Sequence, residues 1–468
     1  MGKQHIVAHQ AATKSVDKIP VTREGFITGM GIAAATLGAA VGLGNIWKFP
    51  FLTGANGGAA FLIIYLMSTI LIGLPIMISE ILLGQRAKGD VVTTLIKMAP
   101  KGQPWWLIGI AGILSSFLIL AFYTEVVAWV FAYVFKAVSG VLLSTDPDTN
   151  MAVFNQLITD PVQSLVWQWV VLFAIGCIVL LGVAKGIEQT TKWLMPILFV
   201  LLVVVSIRGL TLPGAGEGLS FLFQPDFSKV TSPMILTAMG LAFFKLSIGM
   251  GAMMTYGSYY RNDQHIPLTA TGMMVGDLVV SLLAGIAIFP AVFAFGFEPD
   301  AGPGLLFVTI PAVFASMPLG SVFVVLFFVL AAVAPIGAMI SMLEVPVAFL
   351  RGRMGLTRLH ATLITIALLA IVGSTVALSN STLAHFQPFD MTTFDFYDFL
   401  TSNILLPLAG LFICLFVGWS WGFSEMQQTL SLSDTRWNRY LTIVLYGIIK
   451  FVTPTLVMII LLSGLNLL

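Results

Sequence analysis

Residues 38–45 read Gly38-Ala39-Ala40-Val41-Gly42-Leu43-Gly44-Asn45 inside an apolar run long enough to cross a bilayer. Open backbone N–H and C=O groups are costly in hydrocarbon, so a helix breaks at membrane depth only where the freed groups line a cavity or bind something. Three glycines, Asn45 and then Trp47-Lys48-Phe49-Pro50 predict such a break. A second interruption, Phe243-Phe244-Lys245-Leu246-Ser247-Ile248-Gly249-Met250-Gly251, lies five spans later. Half-helix ends offer a positive dipole end to a carboxylate and carbonyls to an ammonium. The ligand that complements both is a zwitterion.

The elements that hold these breaks must be membrane helices. The 468 residues are 58% hydrophobic and 9% charged, with a mean hydropathy of +0.99, values that describe an all-α integral membrane protein. At roughly 20 apolar residues per crossing, spans begin near residues 24, 58, 104, 165, 190, 231, 266, 318, 358, 395 and 437, about 11 in all. Breaks in spans 1 and 6 predict a five-plus-five inverted repeat. Its parts are a cytoplasmic tail (1–22), helices 1–5 (23–215), helices 6–10 (216–425) and an additional helix 11 (426–468). The polar loop at 140–164 is expected on the outer side. The loop at 296–317, with Glu298, Pro299, Pro303 and Pro311, reads either as a re-entrant lid or as a plain surface loop.

Charge placement orients the chain. Lysines and arginines such as Arg86, Lys88, Lys101, Lys185, Arg261 and Arg353 fall on one side, and Asp146, Asp160, Glu217 and Asp390 on the other. The positive-inside rule then puts the N-terminus in the cytoplasm and the C-terminus outside, in the plasma (inner) membrane. The first ~20 residues lack the apolar core of a cleaved signal peptide. Cys177 and Cys414 sit inside spans as apolar fillers. No nucleophile–base pair, metal cluster or phosphate loop is present, which excludes an enzyme. The expected partners are a small amino acid and the bilayer, with no nucleic acid and no cofactor; the oligomeric state is left open.

Several motifs occur together: GAAVGLGNIWKFP with NGGAAF, Lys185-Gly186-Ile187-Glu188, Pro225-Asp226-Phe227, SIGMGAMMTYGSY, Leu343-Glu344-Val345-Pro346 and FDFYDFLTSNILLP. In this order they resemble the neurotransmitter:sodium symporter family, and most closely its bacterial amino-acid branch. The resemblance implies the leucine-transporter fold, with alternating access to one central site.

Residue by residue, the resemblance implies that the Leu43 and Gly44 amides and the Tyr123 hydroxyl hold the substrate carboxylate. It gives the ammonium the carbonyls of Ala40, Phe244 and Lys245 and the hydroxyl of Ser247. The side-chain pocket would be Ile119, Phe244, Met250, Ala338 and Met342, with Gly42 leaving room. The flexible methionine pair suits a bulky hydrophobic or aromatic side chain. Lys48 and Asp398 match the outer gate. Arg23 and Tyr259 match the inner one, but Phe26 stands for its usual tryptophan and Gly352 for its acid, which puts the closing salt bridge in doubt.

The departures fall on the ion sites. The first sodium site would use Ala40, Asn45, a hydroxyl position occupied by Lys245, and Asp277. We expect the Lys245 ammonium to stand in for that sodium, meeting Asn45, Asp277 and the substrate carboxylate. The second site keeps the carbonyls of Gly38, Val41 and Ala334 but has Gly337 and Ala338 where two hydroxyls are needed; a slipped register would bring Ser341 in instead. Tyr65 and Ser281 remain in the chloride region beside Asp277. The expectation is sodium-independent amino-acid transport, with sodium binding weak or absent. A conventional sodium:amino-acid symporter and a non-transporting amino-acid receptor are the alternatives.

Overall fold

In hydrocarbon a chain satisfies its own backbone only as helices or as a closed barrel, and this chain takes the first course. A computed structural model describes residues 24–297, 302–430, 436–465 and 467. The tail at 1–22, Arg23, Glu298, Pro299 and Asp300 lie outside the described residues. Helices α1 (Gly29–Ala40) and α2 (Gly44–Ala55) meet at a bend of 51°. They are followed by α3 (Ala59–Ala87), α4 (Trp106–Val138), α5 (Pro161–Leu180) and α6 (Val183–Leu210). A second interrupted element comprises α7 (Ser232–Lys245) and α8 (Ala252–Tyr259). Then come α9 (Ile266–Ala294), α10 (Gly320–Met354), α11 (Arg358–Ala377), α12 (Thr393–Trp421) and α13 (Arg439–Gly464). No strand occurs among the described residues.

Nine of these helices are individually long and apolar enough to cross a membrane, and the bent α1–α2 pair makes a tenth. The difference from the expected eleven is α7, which stops after 14 residues at the second break. Helix α6 begins at Val183 rather than near 190, because Lys185-Gly186-Ile187-Glu188 winds as a wide helical turn. That turn has a use. The Glu188 carboxylate accepts from Ile27 N–H at 2.7 Å and from the Thr28 hydroxyl at 2.7 Å, anchoring the foot of α1 to α6.

Large apolar side chains such as Phe173, Trp193, Val200 and Ile371 stay exposed and form the surface that lipid covers, so close helix packing relies on small residues. Helix α4 lies along α10, and α8 along α3. At the α3–α8 crossing a Cβ on Gly84 would lie 2.0 Å from the Met254 carbonyl oxygen, and one on Gly257 2.5 Å from that of Ile81. The backbones therefore touch. The loop before α10 tucks inward: Leu305, Leu306 and Phe307 are buried and lead into a buried short helix, Thr309–Ala315. Of the two readings of this loop, the lid is the one the described part adopts.

Gly84→Ala is expected to lower stability by about 1–3 kcal/mol through overpacking, read as a fall in the melting temperature of the detergent-purified protein. Gly272→Ala, where a Cβ meets nothing within 4 Å, is expected to cause no loss.

Candidate functional site

Side chains of the breaks themselves and of the helices beside them satisfy the backbone the two breaks leave open. Helix α1 stops because Val41 is extended. Gly42 N–H donates to Asn45 Oδ1 at 3.0 Å, and Leu43 N–H donates to the Tyr123 hydroxyl on α4 at 2.8 Å. A Cβ on Gly42 would lie 2.7 Å from that hydroxyl, so only glycine lets the tyrosine approach. From the second break the Ser247 hydroxyl reaches across to the Ala39 carbonyl at 2.7 Å. Ser247 has φ of 52°, and Gly249 and Gly251 have φ of +77° and +75°. A non-glycine residue held in the left-handed region is costly and is retained where the surroundings over-determine it.

Glu80, fully buried on α3, accepts from Gly249 N–H at 2.6 Å and ties the second break down. The sequence reading did not pick it out. Its signal is faint: one acid in an otherwise apolar span.

The breaks enclose a cavity lined by Ala40, Gly42, Gly44, Ile119, Tyr123, Phe244, Lys245, Ser247, Met250, Ala338 and Met342. These are the expected substrate-contacting residues apart from Leu43, whose amide is engaged by Tyr123. The cavity measures about 30 Å³, space for a water or two. Beyond Phe244 opens a vestibule of about 390 Å³ bounded by Trp47, Lys48, Trp129, Phe307, Phe394 and Asp398. Lys48 Nζ sits 3.9 Å from Asp398 Oδ1 and 4.2 Å from the centroid of the Phe244 ring. The expected outer pair thus meets directly over the aromatic lid.

Lys245 and Asp277 form a salt bridge of 3.1 Å with both side chains at 0% exposure. The ammonium also donates to the Tyr65 hydroxyl at 3.0 Å and to that of Ser281, and lies 5.0 Å from the centroids of the Phe49 and Tyr65 rings. This corrects one expectation. The hydrogen bonds of Lys245 go to the chloride-region residues and to Asp277, not to Asn45. Asn45 joins the network separately, its amide donating to Asp277 Oδ1 at 2.7 Å and to the Ser281 hydroxyl at 3.0 Å. With Asn45 Oδ1 taken by Gly42, the amide is used at both ends.

At the second sodium-site position the helices close on each other. A Cβ on Gly337 would lie 2.5 Å from the Gly38 carbonyl oxygen, so that oxygen is pressed against the backbone of α10. Val41, Ala334 and Ala338 are buried around it. Ser341 donates its hydroxyl to the Ala338 carbonyl at 2.8 Å, an internal helix bond.

The end remote from the vestibule is also latched, though not as expected. Glu24 pairs with Arg351 at 3.0 Å and with Arg358 at 2.8 Å. Arg358 continues to the buried Glu344 at 2.5 Å, which accepts from the Tyr259 hydroxyl at 2.6 Å. Arg23, the expected cation of this gate, lies outside the described residues; the closure seen among the described ones runs instead through Glu24, from the foot of α1, to Arg351 and Arg358.

Comparison with known proteins agrees with this geometry. The model of the sodium:neurotransmitter symporter family matches residues 23–155 and 149–467. An uncharacterized sodium-dependent transporter of Bacillus subtilis (strain 168), YhdH, is 37% identical over 93% of this chain and 96% of its own length. The sodium- and chloride-dependent taurine transporter of Canis lupus familiaris is 27% identical over 90% of this chain and 76% of its own. The crystal structure of MhsT in complex with L-phenylalanine superposes with a TM-score of 0.87 at 40% identity, covering 94% of this chain and 100% of that one.

Removing one member of a buried ion pair leaves the other charge uncompensated. Lys245→Met and Asp277→Leu are each expected to destabilise the protein by about 3–5 kcal/mol, and the double variant to recover most of that loss. Thermal melting of the four proteins in one detergent reads the cycle.

Proposed function

The chain belongs to the sodium:neurotransmitter symporter family, and from that premise we propose that it carries hydrophobic or aromatic amino acids by alternating access without sodium. It is a multi-pass membrane transporter and not an enzyme. The breaks offer a zwitterion its two complements, and Ile119, Phe244, Met250, Ala338 and Met342 offer its side chain an apolar wall. Binding of L-phenylalanine by the similar MhsT supports a substrate of that class. The small cavity must widen to admit one, and unbranched methionines yield readily. The five-plus-five repeat belongs to this reading through the paired breaks, and the cytoplasmic N-terminus and the outward vestibule through the positive-inside rule.

The observation that carries sodium independence is the Lys245–Asp277 pair. The charge that Asp277 would offer a cation at this position is already neutralised by Lys245. A sodium ion added to a neutral, fully buried pair would be an uncompensated charge, with a desolvation cost of several kcal/mol. The Gly38–Gly337 contact supports the same conclusion for the second site. A carrier whose cation is part of its own chain works as a facilitator or an exchanger. The conventional sodium symporter is the second reading, favoured by the sodium-dependent names of several relatives.

In proteoliposomes, amino-acid counterflow is expected to be unchanged when choline replaces sodium; a strict sodium requirement overturns the reading in favour of the symporter. Binding without counterflow would favour a receptor. Lys245→Thr with Asp277→Asn, which removes both charges and supplies a hydroxyl and an amide, is expected to make binding sodium-stimulated. Gly337 is left unchanged because a side chain there collides with Gly38.

Tyr123→Phe removes the hydroxyl that faces the carboxylate position. It is expected to weaken binding by about 1.5–3 kcal/mol, the worth of a hydrogen bond to a charged group. Isothermal titration measures the loss.

A further inference from the structure

Glu125 lies on α4 two residues beyond Tyr123 and is 2% exposed. Neither the proposed transport chemistry nor either latch uses it. One carboxyl oxygen accepts from the Trp129 indole N–H at 2.7 Å; the other is buried with no hydrogen-bond partner. Ser164 of α5 is the hydroxyl within reach of the carboxyl, and it also donates to the Leu157 carbonyl at 3.3 Å.

Among the described residues, the neighbouring elements bring no cation to it. Helix α5 carries no charged residue, and Lys136 on α4 itself is eleven positions further on. Helices α10 and α11 hold theirs at the far end, in Glu344, Arg351, Arg353, Arg358 and His360, and Lys97 precedes α4. Asp148 and Asp160 are on the loop side of α5, and Lys48, Asp395 and Asp398 line the vestibule wall beyond Trp129. A lone carboxylate in such surroundings costs far more than the neutral acid.

The separation of Glu125 from water is conditional. Trp129 itself lines the vestibule, and it is covered from three elements: Phe154 at 5.4 Å, Phe307 of the lid at 5.9 Å and Phe394 of α12 at 6.0 Å between ring centroids. Helix α12 also carries Asp398, the outer gate acid. A parting of that gate that carries α12 away takes Phe394 off the Trp129 ring and opens a path from the vestibule to the carboxyl behind it.

We propose that Glu125 is a proton-binding site whose occupancy is tied to the outer gate: the carboxyl takes a proton from outside water as the vestibule closes and returns it as the vestibule opens. The inference rests on the alternating-access reading above and adds a second ligand, H⁺, to it. Closure bound to proton uptake is favoured at low external pH and disfavoured as pH rises. Substrate that stabilises the closed state therefore binds more weakly in alkali, by up to about tenfold per pH unit for one linked proton.

The test is isothermal titration of the purified full-length protein with L-phenylalanine in choline medium, in two buffers of different ionisation enthalpy, repeated in sodium. The wild type is expected to take up close to one proton per bound amino acid and to lose affinity with rising pH. Glu125→Gln, which keeps an acceptor for Trp129, is expected to bind with no linked proton and a flat pH profile. Binding in choline with no proton uptake by the wild type, or equal uptake by the variant, overturns the Glu125 site alone. Binding only in sodium overturns the sodium-independent reading, and no binding in either medium overturns both. Proton uptake by the wild type needs no mutant to be read, so a variant that fails to fold leaves the proposal open to refutation.

Discussion

A single buried ion pair sets the terms for the rest of this protein. Two opposite charges at 3.1 Å with no solvent exposure are tolerable only with excellent geometry and further hydrogen bonds around them. The chain supplies both. Tyr65, Ser281 and Asn45 converge on Asp277 or on the ammonium, and two aromatic faces lie beside the ammonium. Because Lys245 is the last residue of α7 and Asn45 lies in the first break, this network fixes the two interrupted helices relative to α9. The substrate cavity is what remains between them.

The two ends of the molecule are closed by contrasting means. On the vestibule side one long lysine–aspartate contact sits over a cluster of rings. On the other side Glu24, Arg351, Arg358 and Glu344 form a linked chain of carboxylates and guanidiniums, whose planar fork holds two carboxylates at once. A point charge over an apolar cap makes fewer directional bonds than a guanidinium chain, so the vestibule side is the more readily opened in the state described.

Much of this was legible in the sequence, and the reasons for success and failure are physical. The breaks were visible because glycine and asparagine have no place in a lipid-facing helix unless their backbone is used. The cavity lining followed from them, since residues on α4 and α10 must face the gap. The contacts of Lys245 were not legible: a four-carbon stem can carry its ammonium to either of two adjacent sites, and the choice depends on where Ser281 and Tyr65 point. Glu80 and Glu24 were missed for a related reason. A single acid in or beside an apolar run says that something holds it, but its partner comes from a distant part of the chain: Gly249 for Glu80, Arg358 for Glu24. The α6 start was misjudged because a wide turn carries the loop residues Lys185-Gly186 without interrupting the helix.

The bare contacts of Gly84 with the Met254 backbone and of Gly257 with that of Ile81 have a mechanical consequence. Where two backbones meet with no side chains between them, neither can slide or roll without lifting the other, so α8 and α3 must travel as one rigid body. Glu80, one turn earlier on α3, clamps the far end of the break and extends that body to Gly249. The pivot for any rotation of α8 against α7 is thereby confined to the few peptide units around Leu246 and Ser247. The strained left-handed serine is thus the hinge pin, and the torsional freedom of the whole second half-helix passes through it.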